Sequence, residues 1–163
     1  MFPVDIIPMI SIVAASFVSL FLIAVATIVC IIYGYTPNVL LLIYMIIAVY
    51  CFIIAFTRFT SAICTVVPDF TNLLGIAMQL FFWFTPIIWN LDMVSQYPEL
   101  SMFMRCTPFT YLVTGFRQVF LSENIITAEN GLFTIVFWVV TLVLFIWGNA
   151  VFKRNKKDFA DVL

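Results

Sequence analysis

The sequence has no histidine and only five glycines. Without histidine the chain has no imidazole to ligate a metal or to act as a general base, and we expect no metal site. The phosphate-binding sequence GxxxxGK[ST] is missing too, so the chain is not expected to hydrolyse a nucleotide with that loop. The four cysteines stand singly, as small buried apolar residues do, and predict neither a disulfide nor a bound metal. No cofactor is predicted.

Charge is also scarce, at 9% of the 163 residues, against about 25% in soluble domains. Four of the seven cations follow the last apolar run, as Lys153, Arg154, Lys156 and Lys157. No basic stripe runs along a longer segment, which argues against a nucleic-acid partner. The carboxylates fall near predicted helix ends or in loops, with no nucleophile and base paired on one face. The chain is therefore not predicted to be an enzyme.

Long apolar runs make up most of the sequence, and 65% of the residues are hydrophobic. An uncharged apolar run of about 18 residues or more can cross the roughly 30 Å hydrocarbon layer as a helix. The runs predict an all-α integral membrane protein, one membrane domain with four transmembrane helices at about 6–33, 38–66, 71–89 and 132–152. Gly34 and Pro37 separate the first two spans and predict an antiparallel hairpin.

The segment 90–131, between the third and fourth predicted spans, is mixed rather than polar. Its apolar residues at helical spacing predict two short helices, about 95–105 and 109–121, broken at Thr107 and Pro108. We interpret them as re-entrant or interfacial, because non-helical backbone at membrane depth must be buried in protein. The basic tail, 153–163, is placed in the cytoplasm by the positive-inside rule. Both termini are then expected to be cytoplasmic, with 90–131 on the outer side.

Arg58 is the single charge expected at membrane depth, where an ionisable group is by default a functional hypothesis. It can face a pathway for an anionic substrate. It can equally be a snorkelling residue, or the partner of a carboxylate elsewhere in an assembly. The densest aromatic run, 81–89, contains Pro86, which favours a kink and a gate. Its rings can stack on sugars or simply pack against lipid and helices.

Several short sequences, in this order along the chain, resemble the permease subunit of ABC-2 type polysaccharide exporters, the branch that exports teichoic acids and O-antigens. They are FP at 2–3, IIP at 6–8, FTPI at 84–87, TP at 107–108, FR at 116–117 and FADVL at 159–163. The resemblance covers essentially the whole chain and matches the last four of the family's six spans. The chain is thus expected to lack the family's N-terminal part. It differs at Thr107, where the family usually has asparagine, and at Pro68, where the family has arginine.

The resemblance implies a homodimer of permeases with two cytoplasmic ATP-binding subunits in a bacterial cytoplasmic membrane, and lipid-linked glycan moving between the permeases among the membrane lipids. The insertion at 90–131 would be the family's pair of gate helices. Residues expected to line or gate the path are Arg58, Phe82, Trp83, Phe84, Pro86, Trp89, Tyr111, Arg105 and Arg117. Arg105 and Arg117 could instead pair with Glu99 or Glu123. Contacts with the ATPase are expected at Pro3, Asp5, Asp69 and the basic tail.

Two other functions fit the same sequence features. The first is a drug or small-lipid exporter permease of the same superfamily, and the second is a membrane scaffold subunit that transports nothing. A neighbouring gene for an ATPase, together with glycosyltransferase genes, would favour polysaccharide export. A scaffold would have neither, and its Arg58 could be replaced without loss.

Overall fold

The computed structural model describes residues 7–67, 69–94, 96–120 and 128–155, and all regular structure in these ranges is helical. The α-helices are α1 (Ile7–Ile32), α2 (Val39–Val66), α3 (Phe70–Phe84), α4 (Pro98–Arg105), α5 (Pro108–Phe120) and α6 (Ala128–Asn155). A 3₁₀ helix, Leu91–Val94, lies between α3 and α4. The predicted all-α class is confirmed.

In the part of the chain that the structure describes, three helices are long and apolar enough to cross a membrane. Their spans are Met9–Ile32, Val39–Cys64 and Gly131–Val151, with 24, 26 and 21 residues, and a crossing helix needs about 20. They agree with the predicted spans 6–33, 38–66 and 132–152. The chain is therefore a multi-pass membrane protein.

The predicted third span, 71–89, contains a shorter helix. Helix α3 has 15 residues and is about 22 Å long, less than the roughly 30 Å hydrocarbon layer. It ends because the ring of Pro86 pushes the preceding residue out of helical backbone, and Thr85 has φ −74° and ψ 135°. The backbone N–H and the hydroxyl of Thr85 both donate to the carbonyl of Phe81, at 2.8 and 2.7 Å.

The turn between α1 and α2 has the predicted hairpin form. Gly34 adopts a positive φ of 85°, and the N–H of Tyr35 donates to the carbonyl of Cys30 at 2.9 Å, which satisfies the end of α1. Asn38 then caps α2, its side-chain oxygen accepting from the N–H of Leu41 at 3.3 Å.

Helices α2 and α6 form the centre of the molecule and run parallel. Near the start of α2, Tyr44 contacts Trp138, and near its end Arg58 contacts Asn149. The buried residues of α2 recur at spacings of three and four, as Leu41, Met45, Ala48, Phe52 and Ala55, the pattern of a helix packed along one seam.

Gly148 of α6 allows a close approach of the two backbones along this seam. A Cβ at this position would lie 2.7 Å from the backbone nitrogen of Phe59. Small residues let helices pack closely in lipid, where there is no hydrophobic drive between them.

Helix α5 runs antiparallel to α2 and reaches the middle of that helix. At its beginning the ring of Phe109 lies 5.4 Å from the ring of Phe52, which is half-way along α2. At its end the carbonyl of Val119 accepts from the N–H of Asn38, at the start of α2. The chain between α3 and α6 therefore enters the level of the spanning helices and returns, as predicted for a re-entrant pair. Its backbone break at Thr107 is half-buried, next to the buried Thr110, and non-helical backbone at membrane depth needs such cover from protein.

Candidate functional site

Arg58 lies on the exposed side of the α2–α6 seam, and its guanidinium is held by α6. Its Nη1 donates to the side-chain oxygen of Asn149 at 2.7 Å. Its Cζ lies 5.9 Å from the ring centroid of Phe145, within the range of a cation–π contact. Within the described part of this chain its hydrogen bond goes to an amide, and a carboxylate partner elsewhere in an assembly stays a prediction.

Arg117 of α5 holds the chain that follows α3. Its Nη2 donates to the carbonyls of Pro86 and Ile87, at 3.0 and 3.4 Å. Pro86 is fully buried, and the N–H of Ile87 donates back to the carbonyl of Thr85 at 2.7 Å. A cation beside carbonyls past the end of a helix also complements the negative end of the helix dipole. Arg117 therefore joins α5 to the break after α3 rather than pairing with Glu99, while Glu123 lies outside the described residues.

The predicted aromatic gate residues divide into exposed and packed rings. Phe82, Trp83 and Phe84 are exposed at the end of α3, with Trp83 66% exposed. The indole N–H of Trp89 donates to the carbonyl of Trp83 at 3.3 Å, which folds the chain after Pro86 back onto α3. The rings of Phe82 and Trp83 meet edge to face, 5.9 Å apart. The exposed group offers apolar surface of the type that sugar rings stack on.

Tyr111 is buried instead, in a polar network between α2, α5 and α6. Its hydroxyl lies 3.1 Å from the hydroxyls of Tyr44 and Thr134, and the indole N–H of Trp138 donates to the hydroxyl of Tyr44 at 2.9 Å. The Tyr111 ring stacks on Phe137 at 4.6 Å. These contacts join α5 to both long helices, and a place for Tyr111 on a path stays a prediction.

The remaining predicted residues either show few polar contacts or lie outside the described residues. Arg105 ends α4, and its Nε is buried with no hydrogen-bond partner among the described residues. Asp69 is exposed at the start of α3 and makes no side-chain capping bond. Pro3 and Asp5 lie outside the described residues, as do the tail residues from 156 onward.

A cleft of about 390 Å³ also opens between α1, α2 and the end of α5. It is lined almost wholly by apolar side chains, among them Ile12, Ile46 and Phe116. None of the predicted site residues lines it. No cluster of metal-ligating side chains occurs within the described ranges.

The contacts that sequence reasoning missed are those made across the chain. Asn149 is the partner of Arg58, 91 residues away, and Gly148 beside it sets how closely the two helices approach. One signal was available: Asn149 is an amide inside an apolar span, and such residues usually bond to another helix. The network of Tyr44, Thr134 and Trp138 had no such signal.

Known proteins similar to this chain support the predicted family. Residues 1–121 match the family described as ABC-2 type transporter. The O-antigen export system permease protein RfbA of Myxococcus xanthus is 22% identical over 110 residues, which cover 68% of this chain and 41% of that protein. The protein of the same name from Klebsiella pneumoniae is 24% identical over 95 residues, or 58% of this chain and 34% of that protein.

The chain spans less than half the length of these relatives in the matched regions. The family match is more extensive, since it begins at residue 1 and runs through α5. It therefore includes the hairpin of α1 and α2, the short helix α3 and the re-entrant pair. Because this match covers well over half of the residues, the chain belongs to the ABC-2 type transporter family.

Proposed function

We propose that this chain is the permease subunit of an ATP-driven exporter that moves lipid-linked polysaccharide across a bacterial cytoplasmic membrane. The observation that carries the proposal is its similarity to two O-antigen export permeases within a family match over residues 1–121. The three long helices and the re-entrant pair provide a membrane body of the kind that such a subunit needs. Teichoic acid and O-antigen polymers are the substrate classes that we propose.

The exposed rings at the end of α3 are the proposed place of sugar contact. Phe82, Trp83 and Phe84 present rigid apolar area with few rotamers to freeze. Arg117 fixes the chain just after them to α5 through the carbonyls of Pro86 and Ile87. A movement of α5 would therefore be transmitted to this aromatic group. We propose that α4 and α5 form a gate on the outer side and that this link opens or closes it.

The sequence has no phosphate-binding loop of the GxxxxGK[ST] type, and the energy for transport is proposed to come from another subunit. We propose two ATP-binding subunits on the cytoplasmic side and a second permease copy. The contact surface would include the N-terminal segment with Pro3 and Asp5, the exposed Asp69, and the basic tail. Both termini of this chain would then be cytoplasmic.

Co-purification from the native membrane tests the proposal. The protein is extracted in mild detergent with a tag, and bound proteins are identified by mass spectrometry, with an unrelated tagged membrane protein as control. We expect a stoichiometric ATP-binding subunit. Recovery of the permease without an ATPase would contradict the proposal and favour a scaffold. An ATPase together with ATP-dependent export of hydrophobic dyes, and unchanged surface glycan on loss of the gene, would favour a drug exporter.

A further inference from the structure

Arg58 combines features that a purely structural arginine does not need. It is exposed, although its helix is a membrane span. A guanidinium has five N–H donors, and the one hydrogen bond that the structure describes for it goes to Asn149. Its orientation is nevertheless fixed, by that bond and by the ring of Phe145. The side chain is thus held in place, and most of its donors have no hydrogen-bond partner among the described residues.

The depth of Arg58 suits a lipid phosphate. Helix α2 has 28 residues and is about 42 Å long, roughly 12 Å more than the hydrocarbon layer. Arg58 precedes its last residue, Val66, by eight positions, which is about 12 Å along the axis. If the surplus is shared between the two ends, the Cα lies about 6 Å inside the hydrocarbon. An arginine side chain can extend its charged end over such a distance toward the headgroups.

Helix α6 indicates which end of the membrane spans lies near Arg58. Since α2 and α6 run parallel, Arg58 and Asn149 lie toward the C-terminal end of α6, and Lys153 follows Asn149 by one helical turn. This is the end of the chain that carries most of its positive charge, through Lys153, Arg154, Lys156 and Lys157. Basic groups between helices on the cytoplasmic side attract anionic lipid headgroups.

We infer that Arg58 and Asn149 form a binding site for the phosphate group of a membrane lipid in the leaflet next to the basic tail. Arginine suits this role because its planar fork matches phosphate oxygens through paired, charge-assisted hydrogen bonds. Asn149 positions the guanidinium, and Phe145 covers one side of it. The lipid can be an anionic phospholipid or the phosphate-bearing carrier of the glycan. With the carrier as ligand the inference rests on the proposed function, whereas with a phospholipid it does not.

Lipid binding to the purified, delipidated complex tests this site. Native mass spectrometry measures the affinity for phosphatidylglycerol, for a polyprenyl phosphate, and for diacylglycerol, which lacks the phosphate. The variants are Arg58→Gln, Arg58→Lys and Asn149→Ala. The matched control is Asn72→Ala, an exposed amide at the start of α3. Thermal unfolding followed by circular dichroism shows that each variant is folded, and Arg58→Lys and Asn149→Ala preserve the charge if Arg58→Gln does not fold.

We expect Arg58→Gln to bind a phosphate-bearing lipid about tenfold more weakly, as for loss of a charge-assisted hydrogen bond, with diacylglycerol unaffected. Asn149→Ala and Arg58→Lys should each weaken the binding of a phosphate-bearing lipid about threefold, because both keep the positive charge. Asn149→Ala removes the residue that orients the guanidinium, and Arg58→Lys removes the planar guanidinium itself. If the variants bind both phosphate-bearing lipids more weakly, the site is a general one for anionic lipids. If they bind only polyprenyl phosphate more weakly, the ligand is the glycan carrier. Affinities within about twofold of the wild type for both lipids would overturn the inference. This readout uses no ATPase and no transport, so it can fail or succeed separately from the proposed function.

Discussion

Replacing Gly148 by alanine should separate α2 from α6 where their backbones pack closely. The added Cβ would lie 2.7 Å from the nitrogen and 2.9 Å from the Cα of Phe59, and 3.1 Å from the carbonyl carbon of Arg58. All three are backbone atoms, so no side chain can rotate away. Ordinary contact begins at 3.4 Å, and the helices must therefore move apart by about 0.7 Å.

This separation would also affect the neighbouring hydrogen bond. The Nη1 atom of Arg58 and the side-chain oxygen of Asn149 are 2.7 Å apart. An equal displacement takes these two atoms to a separation of about 3.4 Å, which is beyond the usual range for N–H···O bonds. Overpacking costs about 1–3 kcal/mol, and an interhelical hydrogen bond in a membrane protein contributes about 0.6 kcal/mol. We expect Gly148→Ala to lower the free energy of unfolding by about 1.6–3.6 kcal/mol in total.

The assay is reversible unfolding of the protein in mixed micelles, followed by circular dichroism. Gly75→Ala and Gly131→Ala are matched controls, because an added Cβ at either position meets nothing within 4 Å. These controls should be neutral or slightly stabilising, since alanine favours helix over glycine. A Gly148→Ala protein as stable as the two controls would refute the close packing of α2 and α6.

Three further substitutions test contacts of α3, α5 and the polar network. Tyr44→Phe removes the hydroxyl that accepts from Trp138 and that bonds to Tyr111. It should lower the free energy of unfolding by about 1–2 kcal/mol in the same assay. The control Tyr33→Phe, at an exposed position, should change it by less than about 0.5 kcal/mol. Arg117→Met leaves the two carbonyls it binds without their donor and should cost about 1–3 kcal/mol; an unchanged unfolding curve would contradict this link. Pro86→Ala should let α3 continue, seen as slower hydrogen exchange of the amides at 87–89, and unchanged exchange there would count against the proline as the cause of the helix end.

Sequence reasoning succeeded where the cause lies within a few residues. The length and apolarity of the runs predicted α1, α2 and α6, and the turn residues Gly34 and Pro37 predicted the hairpin. Proline also marked the start of α5 at Pro108, where its missing N–H is tolerated in a first turn. The end of α3 was placed too late, although Pro86 was recognised as a kink, because hydropathy continues through 89 while the backbone does not.

The candidate site could be predicted only in part, because its geometry depends on distant partners. Arg58 was identified as a charge within an apolar span, but hydropathy cannot indicate Asn149 as its partner. The sequence predicts that Arg117 lines or gates the path, whereas its bonds to carbonyls 30 and 31 residues away follow from the packing of α5 against the end of α3. Tyr111 shows the reverse case. Its aromatic ring suggested a path residue, and its burial follows from contacts that no local pattern encodes.

The central claim is that this chain takes part in export of a lipid-linked polysaccharide. The most direct measurement is to inactivate its gene in the source organism and to quantify surface polysaccharide together with the lipid-linked polymer inside the cell. The account predicts loss of surface polymer and accumulation of lipid-linked glycan on the cytoplasmic side, both reversed by a complementing copy. Normal surface polymer without intracellular accumulation would contradict it.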